Sequence, residues 1–219
     1  MRTFYKPAGL PFAPPEPNTT DSVVHRLWAQ EPQRRAVGWP AGFGAGVAHR
    51  MDVGTSGAVL VADTLDELTW VRRWFKEGRL QRYYLVRLST VPAWTERTCA
   101  LAIAPDKDDK GRMVAQLKPK QPHRGEWTAA STTFRQLAGD VFEARTTSLV
   151  RHQIRVHAAA LGVPVLGDTL YGGAPLPADA PRGVSFYLHH LGLTGPAGLK
   201  TDAVPTPEWA EGLGAWPRP

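Results

Sequence analysis

Cysteine is nearly absent from this 219-residue chain, which contains only Cys99. A single cysteine excludes an intramolecular disulfide and leaves no cysteine cluster to hold zinc. The sequence also lacks a run of about 18 apolar residues, the length that a helix needs to cross a bilayer. Its N-terminal stretch, MRTFYKPAGLPFAPP, has no apolar core of the kind found in signal peptides. We therefore expect a cytoplasmic protein.

Signatures of nucleotide and metal sites are missing as well. Gly42, Gly44 and Gly46 do not form the G-x-G-x-x-G dinucleotide fingerprint, and no phosphate-loop lysine follows them. His152 and His157 lack the i, i+4 spacing that places both histidines of a zinc protease on one helix face. We therefore predict no cofactor and no metal site.

The composition is that of a basic globular protein. Apolar residues make up 42% and charged residues 21% of the chain, which is ordinary for a folded domain. No internal repeat or compositional break divides residues 1–219, so we expect one domain. The 26 Lys and Arg against 20 Asp and Glu give a formal net charge of +6. Such an excess favours a polyanionic partner, and nucleic acid is the first class to consider.

Hydrophobic periodicity predicts helices interleaved with strands. A capping-box spacing between Thr64 and Glu67, followed by apolar residues at helical intervals, predicts a helix over residues 64–77. Apolar and aromatic runs predict strands, and a second apolar pattern predicts a helix that Gly162 ends. The strands are expected over 80–88, 98–104, 127–137, 141–147, 163–166 and 184–193, and the second helix over 152–161. We predict an α+β fold with a mixed, mostly antiparallel sheet and flanking helices.

The stretch AHRMDVGTSGAVLVA, residues 48–62, places one carboxylate, Asp52, before a turn and a buried-type strand. A loop held by a rigid strand is a common position for functional side chains. His49 and Arg50 place positive charge beside Asp52, which favours the ionised carboxylate. Such a group can act as a nucleophile, a general base or a metal ligand. From this spacing alone, a carboxylate that only caps the turn is the more frequent case.

Five segments, taken in order, resemble the RluA-like pseudouridine synthases. The segment HRMD with TSG two residues later resembles the signature of that family around its catalytic aspartate. The other four are YKPAGL from Tyr5, RYYLV from Arg82, HQIRVH from His152 and LGDTLYG from Leu166. Together they cover nearly the whole chain. The resemblance implies a catalytic fold of that family, without the separate N-terminal RNA-binding domain that some relatives carry.

The resemblance also implies an activity and a set of site residues. The activity is the isomerisation of uridine to pseudouridine in structured ribosomal or transfer RNA, without a cofactor and by an enzyme expected to be a monomer. Asp52 is implied to be the catalytic carboxylate, Arg155 its ionic partner, and Tyr84 the residue that stacks on the target base. The implied RNA-binding residues are His49, Arg50, Arg82, Arg151 and His152.

Two departures from the family pattern leave other functions open. Leu149, Val150 and Arg151 stand where relatives have Gly-Arg-Thr or Gly-Arg-Ser, and Gly54 stands where an acidic residue is common. A non-catalytic RNA-binding protein on the same fold is therefore the alternative to an enzyme. A serine hydrolase at Ser56 is a third hypothesis, although the spacing of G-x-S-x-G is not met.

Overall fold

A computed structural model of the protein describes residues 1–13 and 21–211. The described residues form one large sheet, one small sheet and three α-helices. In chain order the elements are β1 (Arg2–Lys6), α1 (Val23–Gln30), β2 (Ser56–Val61), α2 (Leu65–Lys76), β3 (Gln81–Arg87), β4 (Glu96–Cys99), β5 (Ile103–Pro105), β6 (Met113–Ala115), β7 (Thr132–Ala138), β8 (Val141–Thr146), α3 (Gln153–Ala160) and β9 (Leu188–Thr194).

The large sheet has seven strands in the order β1-β2-β9-β3-β8-β7-β4. All its neighbouring strands pair antiparallel except β2 and β9, which are parallel. The predicted mixed, mostly antiparallel α+β architecture is confirmed. Strands β2, β9 and β3 lie next to one another although they come from distant parts of the sequence, and this arrangement brings the motifs together.

Helix α2 forms as its sequence predicts. Thr64 caps it by accepting a hydrogen bond from the Glu67 backbone N–H at 3.1 Å, a contact typically worth about 1 kcal/mol. Leu68, Val71 and Phe75 recur at helical spacing and are buried against the sheet. Because the cap and the apolar stripe agree, the predicted boundaries differ from the observed ones only by the capping residues.

Several predicted strands differ from the observed ones. The single strand expected over 98–104 is two strands, because the chain leaves β4 after Cys99 and enters the small sheet at Ile103. Ile103 and Thr128 exchange backbone hydrogen bonds there, and residues 127–131 consequently do not join β7. The run 163–166 makes only an isolated bridge, from Val165 to Leu88. The last strand begins at Leu188, four residues later than predicted.

Helix α3 packs on the face of the sheet that carries Tyr84. Ile154 and Ala158 join one apolar cluster with side chains of β3, β7 and β8. Val156 faces the small sheet and packs against Ile103. Within residues 1–13 and 21–211, no helix is long and apolar enough to cross a membrane. Burial of α3 on two sides fixes the position of the polar side chains at its beginning.

Candidate active site

The loop that carries Asp52 is held rigidly from below by β1 and the segment after it. The Lys6 ammonium is fully buried and donates to the carbonyl oxygens of Val53 at 2.9 Å, Thr55 at 2.7 Å and Pro7 at 3.2 Å. The Gly9 backbone N–H also donates to the Val53 carbonyl at 2.9 Å. These contacts link the YKPAGL segment directly to the Asp52 loop, so the Asp52 carboxylate stands on an immobilised turn.

Two glycines next to Asp52 are required by close packing. Gly57 has φ +121°, and a Cβ there would lie 2.1 Å from the His190 carbonyl oxygen, where β2 meets β9. At Gly54 a Cβ would lie 2.3 Å from Ser185 Oγ and 2.7 Å from the Phe186 ring. The Gly54 departure from the family pattern therefore has a structural reason in this chain, since Phe186 occupies the space.

Arg155 of α3 lies between two carboxylates. Its Nη1 donates to Asp52 Oδ2 at 3.0 Å, while Nε and Nη2 donate to the two oxygens of Asp168 at 2.6 and 2.8 Å. Asp168 is 1% exposed and Asp52 is 20% exposed. The buried bidentate pair with Asp168 fixes the guanidinium. The remaining Nη1 then holds one oxygen of Asp52 and leaves Oδ1 without a hydrogen bond to Arg155.

Aromatic rings enclose the Arg155 guanidinium. Its central carbon lies 4.4 Å from the centre of the Phe186 ring and 5.0 Å from that of Tyr171. Burial disfavours its charge, but the hydrogen bonds to Asp168 and the charge of Asp52 outweigh this effect and raise the pKa of Arg155. The arginine is therefore a permanent cation that balances the ionised form of Asp52.

Tyr84 lies on β3, on the face of the sheet against which α3 packs. Its ring packs on His190 with centroids 4.5 Å apart, and its hydroxyl accepts a hydrogen bond from Arg82 Nη1 at 3.1 Å. Burial raises the pKa of Tyr84, the Arg82 charge opposes this effect, and the Asp52 charge adds to it. Tyr84 is thus a neutral phenol near neutral pH, with the Asp52 carboxylate close enough to influence it.

The predicted RNA-binding residues fall into two groups. Arg50 and Arg151 are exposed, and His152 is partly buried beside Asp52. Arg82 is 4% exposed, and its guanidinium also donates to the Ser148 carbonyl, so in this structure it supports Tyr84 from within the protein. Arg151 donates to the carbonyls of the turn at 110–111. Its guanidinium is therefore hydrogen-bonded to the turn between β5 and β6.

The assignment of His49 to RNA binding is corrected by its position. The side chain is 2% exposed, and its Nε2 accepts a hydrogen bond from the Leu60 backbone N–H at 3.0 Å. Burial, with the nearby Arg82 charge, lowers the pKa of His49 to about 3. His49 is therefore a neutral core residue that supplies no charge to Asp52. Arg155 provides the positive charge instead.

Sequence reasoning did not assign roles to three residues that shape the site. Lys6 holds the Asp52 loop, Asp168 holds Arg155, and Tyr171 contacts both Arg155 and His152. All three lie within the YKPAGL and LGDTLYG segments, so the match of these segments to the family pattern was the sequence feature that could have pointed to them. No group of three or more His, Cys, Asp and Glu that could hold a metal ion occurs in the described part of the chain.

Replacing Lys6 by Met is expected to lower kcat for the activity that the family resemblance implies about tenfold, while affinity for RNA changes little. The substitution keeps the volume but removes three donors, and the misplacement of a catalytic group by about 1 Å can reduce a rate by up to about 10²-fold. Single-turnover assays and RNA-binding titrations measure the two quantities. Lys76→Met, on the exposed surface of α2, is the control, and equal kcat values in the two variants would contradict a positioning role for Lys6.

Stability should fall as the pH decreases from about 6.5 towards 4. Burial lowers the pKa of His189 to about 4, and that of His49 lies near 3. In this window the unfolded chain binds protons that the folded protein does not, so each histidine reduces the free energy of unfolding by about 1.4 kcal/mol per pH unit. Urea denaturation at a series of pH values measures the slope. His189→Asn should have a shallower slope, and an unchanged slope would refute the assignment.

Comparison with known proteins places this geometry in a family. The family model described as RNA pseudouridylate synthase matches residues 2–160. The dual-specificity RNA pseudouridine synthase RluA of Escherichia coli K12 is 29% identical over 193 residues, covering 88% of this chain and 82% of the relative. The ribosomal large subunit pseudouridine synthase D of Xylella fastidiosa is 33% identical over 77% of this chain and 48% of the relative. The resemblance to RluA-like enzymes is confirmed.

Solved structures show the same fold. Human RNA pseudouridylate synthase domain containing 1 aligns with a TM-score of 0.65 at 24% identity, covering 85% of this chain and 74% of that chain. Human RNA pseudouridylate synthase domain containing 4 aligns with a TM-score of 0.66 at 19% identity, covering 94% and 85%. Since the family model covers well over half of the sequence, this protein belongs to the RNA pseudouridylate synthase family, a family of isomerases that act on RNA.

Proposed function

We propose that this protein converts uridine to pseudouridine in structured ribosomal or transfer RNA, with Asp52 as the catalytic carboxylate. The observation that carries the proposal is the ion pair of Asp52 with the buried Arg155, which leaves Asp52 Oδ1 free at a partly open position. Tyr84 lies on β3, which β9 separates from the strand that follows Asp52. Arg155 and Tyr84 are the proposed partners of Asp52 in catalysis.

The chemistry requires an ionised carboxylate in a protected cleft. The target nucleotide must leave its stack, which costs on the order of a few kcal/mol. The glycosidic bond from the sugar to N1 of uracil then breaks, the sugar is rejoined to C5, the C5 proton leaves and N1 gains a proton. Asp52 is suited to the bond-breaking stage because the Arg155 hydrogen bond orients its carboxylate and leaves Oδ1 towards the open side. Tyr84, which is 5% exposed and packs on His190, is the proposed aromatic partner of the uracil.

The exposed basic residues around the site fit an RNA substrate. Arg50 and Arg151 are the two accessible members of the predicted RNA-binding set, and His152 lies at the edge of the site. Contacts of such side chains with phosphates can offset the cost of base flipping. The net charge of +6 fits an RNA partner, and the name of the ribosomal large subunit relative supports the ribosomal class. A cytoplasmic monomer that recognises RNA through a single catalytic domain is part of this proposal.

The direct test is incubation of the purified protein with transcribed ribosomal and transfer RNA, followed by mapping of pseudouridine at nucleotide resolution. We expect one or a few uridines to be converted by the wild-type protein and none by Asp52→Asn. Arg26→Ala is a surface control, because Arg26 is exposed on α1 and pairs with Asp21, which precedes the helix. A folded wild-type protein that binds these RNAs without converting any uridine would refute the proposal and favour a non-catalytic RNA-binding protein.

A further inference from the structure

His152 has a backbone conformation that a side chain-bearing residue seldom adopts. Its φ and ψ are 56° and 15°, in the left-handed region, immediately before the first residue of α3. Non-glycine residues are uncommon there, and such strained positions concentrate at functional sites. Asn, Asp and His tolerate this region better than the other non-glycine residues. The conformation directs the His152 ring towards Asp52, so the strain coincides with a specific placement of the imidazole.

The His152 ring lies between the catalytic carboxylate and the Tyr171 hydroxyl. Its Nδ1 is 2.7 Å from the Tyr171 hydroxyl oxygen, and its Nε2 is 3.8 Å from Asp52 Oδ1. The latter distance exceeds that of a hydrogen bond, although catalytic contacts often shorten when substrate binds. The other carboxylate oxygen, Oδ2, is held by Arg155. His152 therefore faces the one oxygen of Asp52 that Arg155 does not hold.

The hydrogen bonds around Tyr171 favour one tautomer of His152. The Met113 backbone N–H donates to the Tyr171 hydroxyl oxygen at 2.9 Å, which leaves the hydroxyl proton available for His152 Nδ1. A neutral imidazole carries one N–H, and burial lowers the pKa of His152, which favours that neutral form. With Nδ1 as acceptor, the N–H is on Nε2 and points its positive end towards Asp52 Oδ1.

Tyr171 also supports the second partner of the carboxylate. Its ring lies under the Arg155 guanidinium at 5.0 Å, and the whole side chain is buried between α3 and β6. One residue thus contacts both groups that face Asp52. The small sheet, which supplies the Met113 amide, becomes part of the support for the site.

We propose that Tyr171 and His152 are positioning residues, in which the Tyr171 hydroxyl holds the His152 imidazole with its Nε2–H towards Asp52 Oδ1 and so orients the carboxylate for reaction. This inference rests on the proposed function. It adds a role for Tyr171 and replaces direct RNA contact as the main role of His152.

Two substitutions at His152 separate this role from relief of backbone strain. Gln can place an amide N–H near the position of Nε2, whereas Asn reaches only the position of Nδ1 but fits the left-handed backbone better. We expect His152→Gln to retain most of the wild-type kcat and His152→Asn to lose about tenfold or more, with RNA affinity within about twofold in both. If Asn is as active as Gln, the proposal is overturned.

The tautomer can be observed without turnover. In protein labelled with ¹⁵N-histidine, long-range ¹H–¹⁵N spectra distinguish Nε2–H from Nδ1–H, and the His152 signals are identified by their loss in His152→Gln. We expect the Nε2–H form in the wild type and a mixture in Tyr171→Phe, which keeps the ring over Arg155. Tyr171→Phe should lower kcat about tenfold, whereas Tyr83→Phe, whose ring packs under Arg145, should not.

The two readouts separate failure of this inference from failure of the proposed function. A wild-type protein that converts no RNA but shows the Nε2–H tautomer refutes the activity and supports the hydrogen-bonded arrangement. An Nδ1–H tautomer in the wild type, or a Tyr171→Phe variant with unchanged spectrum and kcat, overturns the inference while the activity stands.

Discussion

Asp52→Asn is expected to lose isomerase activity by about 10²- to 10⁴-fold or more, the range associated with removal of an acid–base group. The amide has the volume of the carboxylate and can still accept the hydrogen bond from Arg155, so the site keeps its shape. It lacks the charge and the nucleophilicity that bond breaking requires. RNA affinity should remain within about threefold of the wild type, because the proposed phosphate contacts are made by other side chains.

Single-turnover conversion of a transcribed substrate and equilibrium RNA binding measure the two effects of Asp52→Asn. Asp21→Asn is the matched control, because Asp21 is exposed and pairs with the surface residue Arg26. The Asp21→Asn variant also loses one negative charge, but at a residue that does not contact Arg155. Substantial turnover by Asp52→Asn would exclude Asp52 as the catalytic carboxylate, and a large loss of RNA affinity would assign it to binding.

Asp168→Ala is expected to reduce the free energy of unfolding by about 3 kcal/mol. Breaking a buried ion pair typically costs about 3–5 kcal/mol because the remaining charge is left uncompensated. The lower end applies here, since Asp52 still neutralises part of the Arg155 charge at 3.0 Å. Activity should fall as well, because the guanidinium loses the bidentate contact that holds it against Asp52.

Urea denaturation followed by tryptophan fluorescence measures the stability of Asp168→Ala, and turnover is assayed below the unfolding transition. Asp140→Ala is a suitable comparison, because Asp140 forms a partly exposed ion pair with Arg87 at 3.0 Å and such pairs contribute about 0–1 kcal/mol. Equal losses of stability in the two variants would show that the buried pair with Arg155 contributes no more to the free energy of unfolding than a partly exposed pair does.

Local features could be predicted from the sequence because local interactions determine them. The Thr64 cap and the apolar repeat specify α2 without reference to the rest of the chain. The five segments in order identify the family, and the family pattern makes Asp52, Tyr84 and Arg155 candidate site residues. The break between β4 and β5 could not be predicted in this way, since it depends on the exchange of hydrogen bonds between Ile103 and Thr128, 25 positions apart.

The sequence by itself determined the family and the mostly antiparallel α+β class, and it named Asp52, Tyr84 and Arg155 as candidates for the site. Only the tertiary structure decided which charges face one another. His49 and Arg50 are adjacent in the chain, yet one is buried in the core and the other is exposed, whereas Arg155 lies 103 positions from Asp52 and contacts it. The physical reason is that burial and ion pairing depend on which elements pack together, and the roles of Lys6, Asp168 and Tyr171 exist only through that packing.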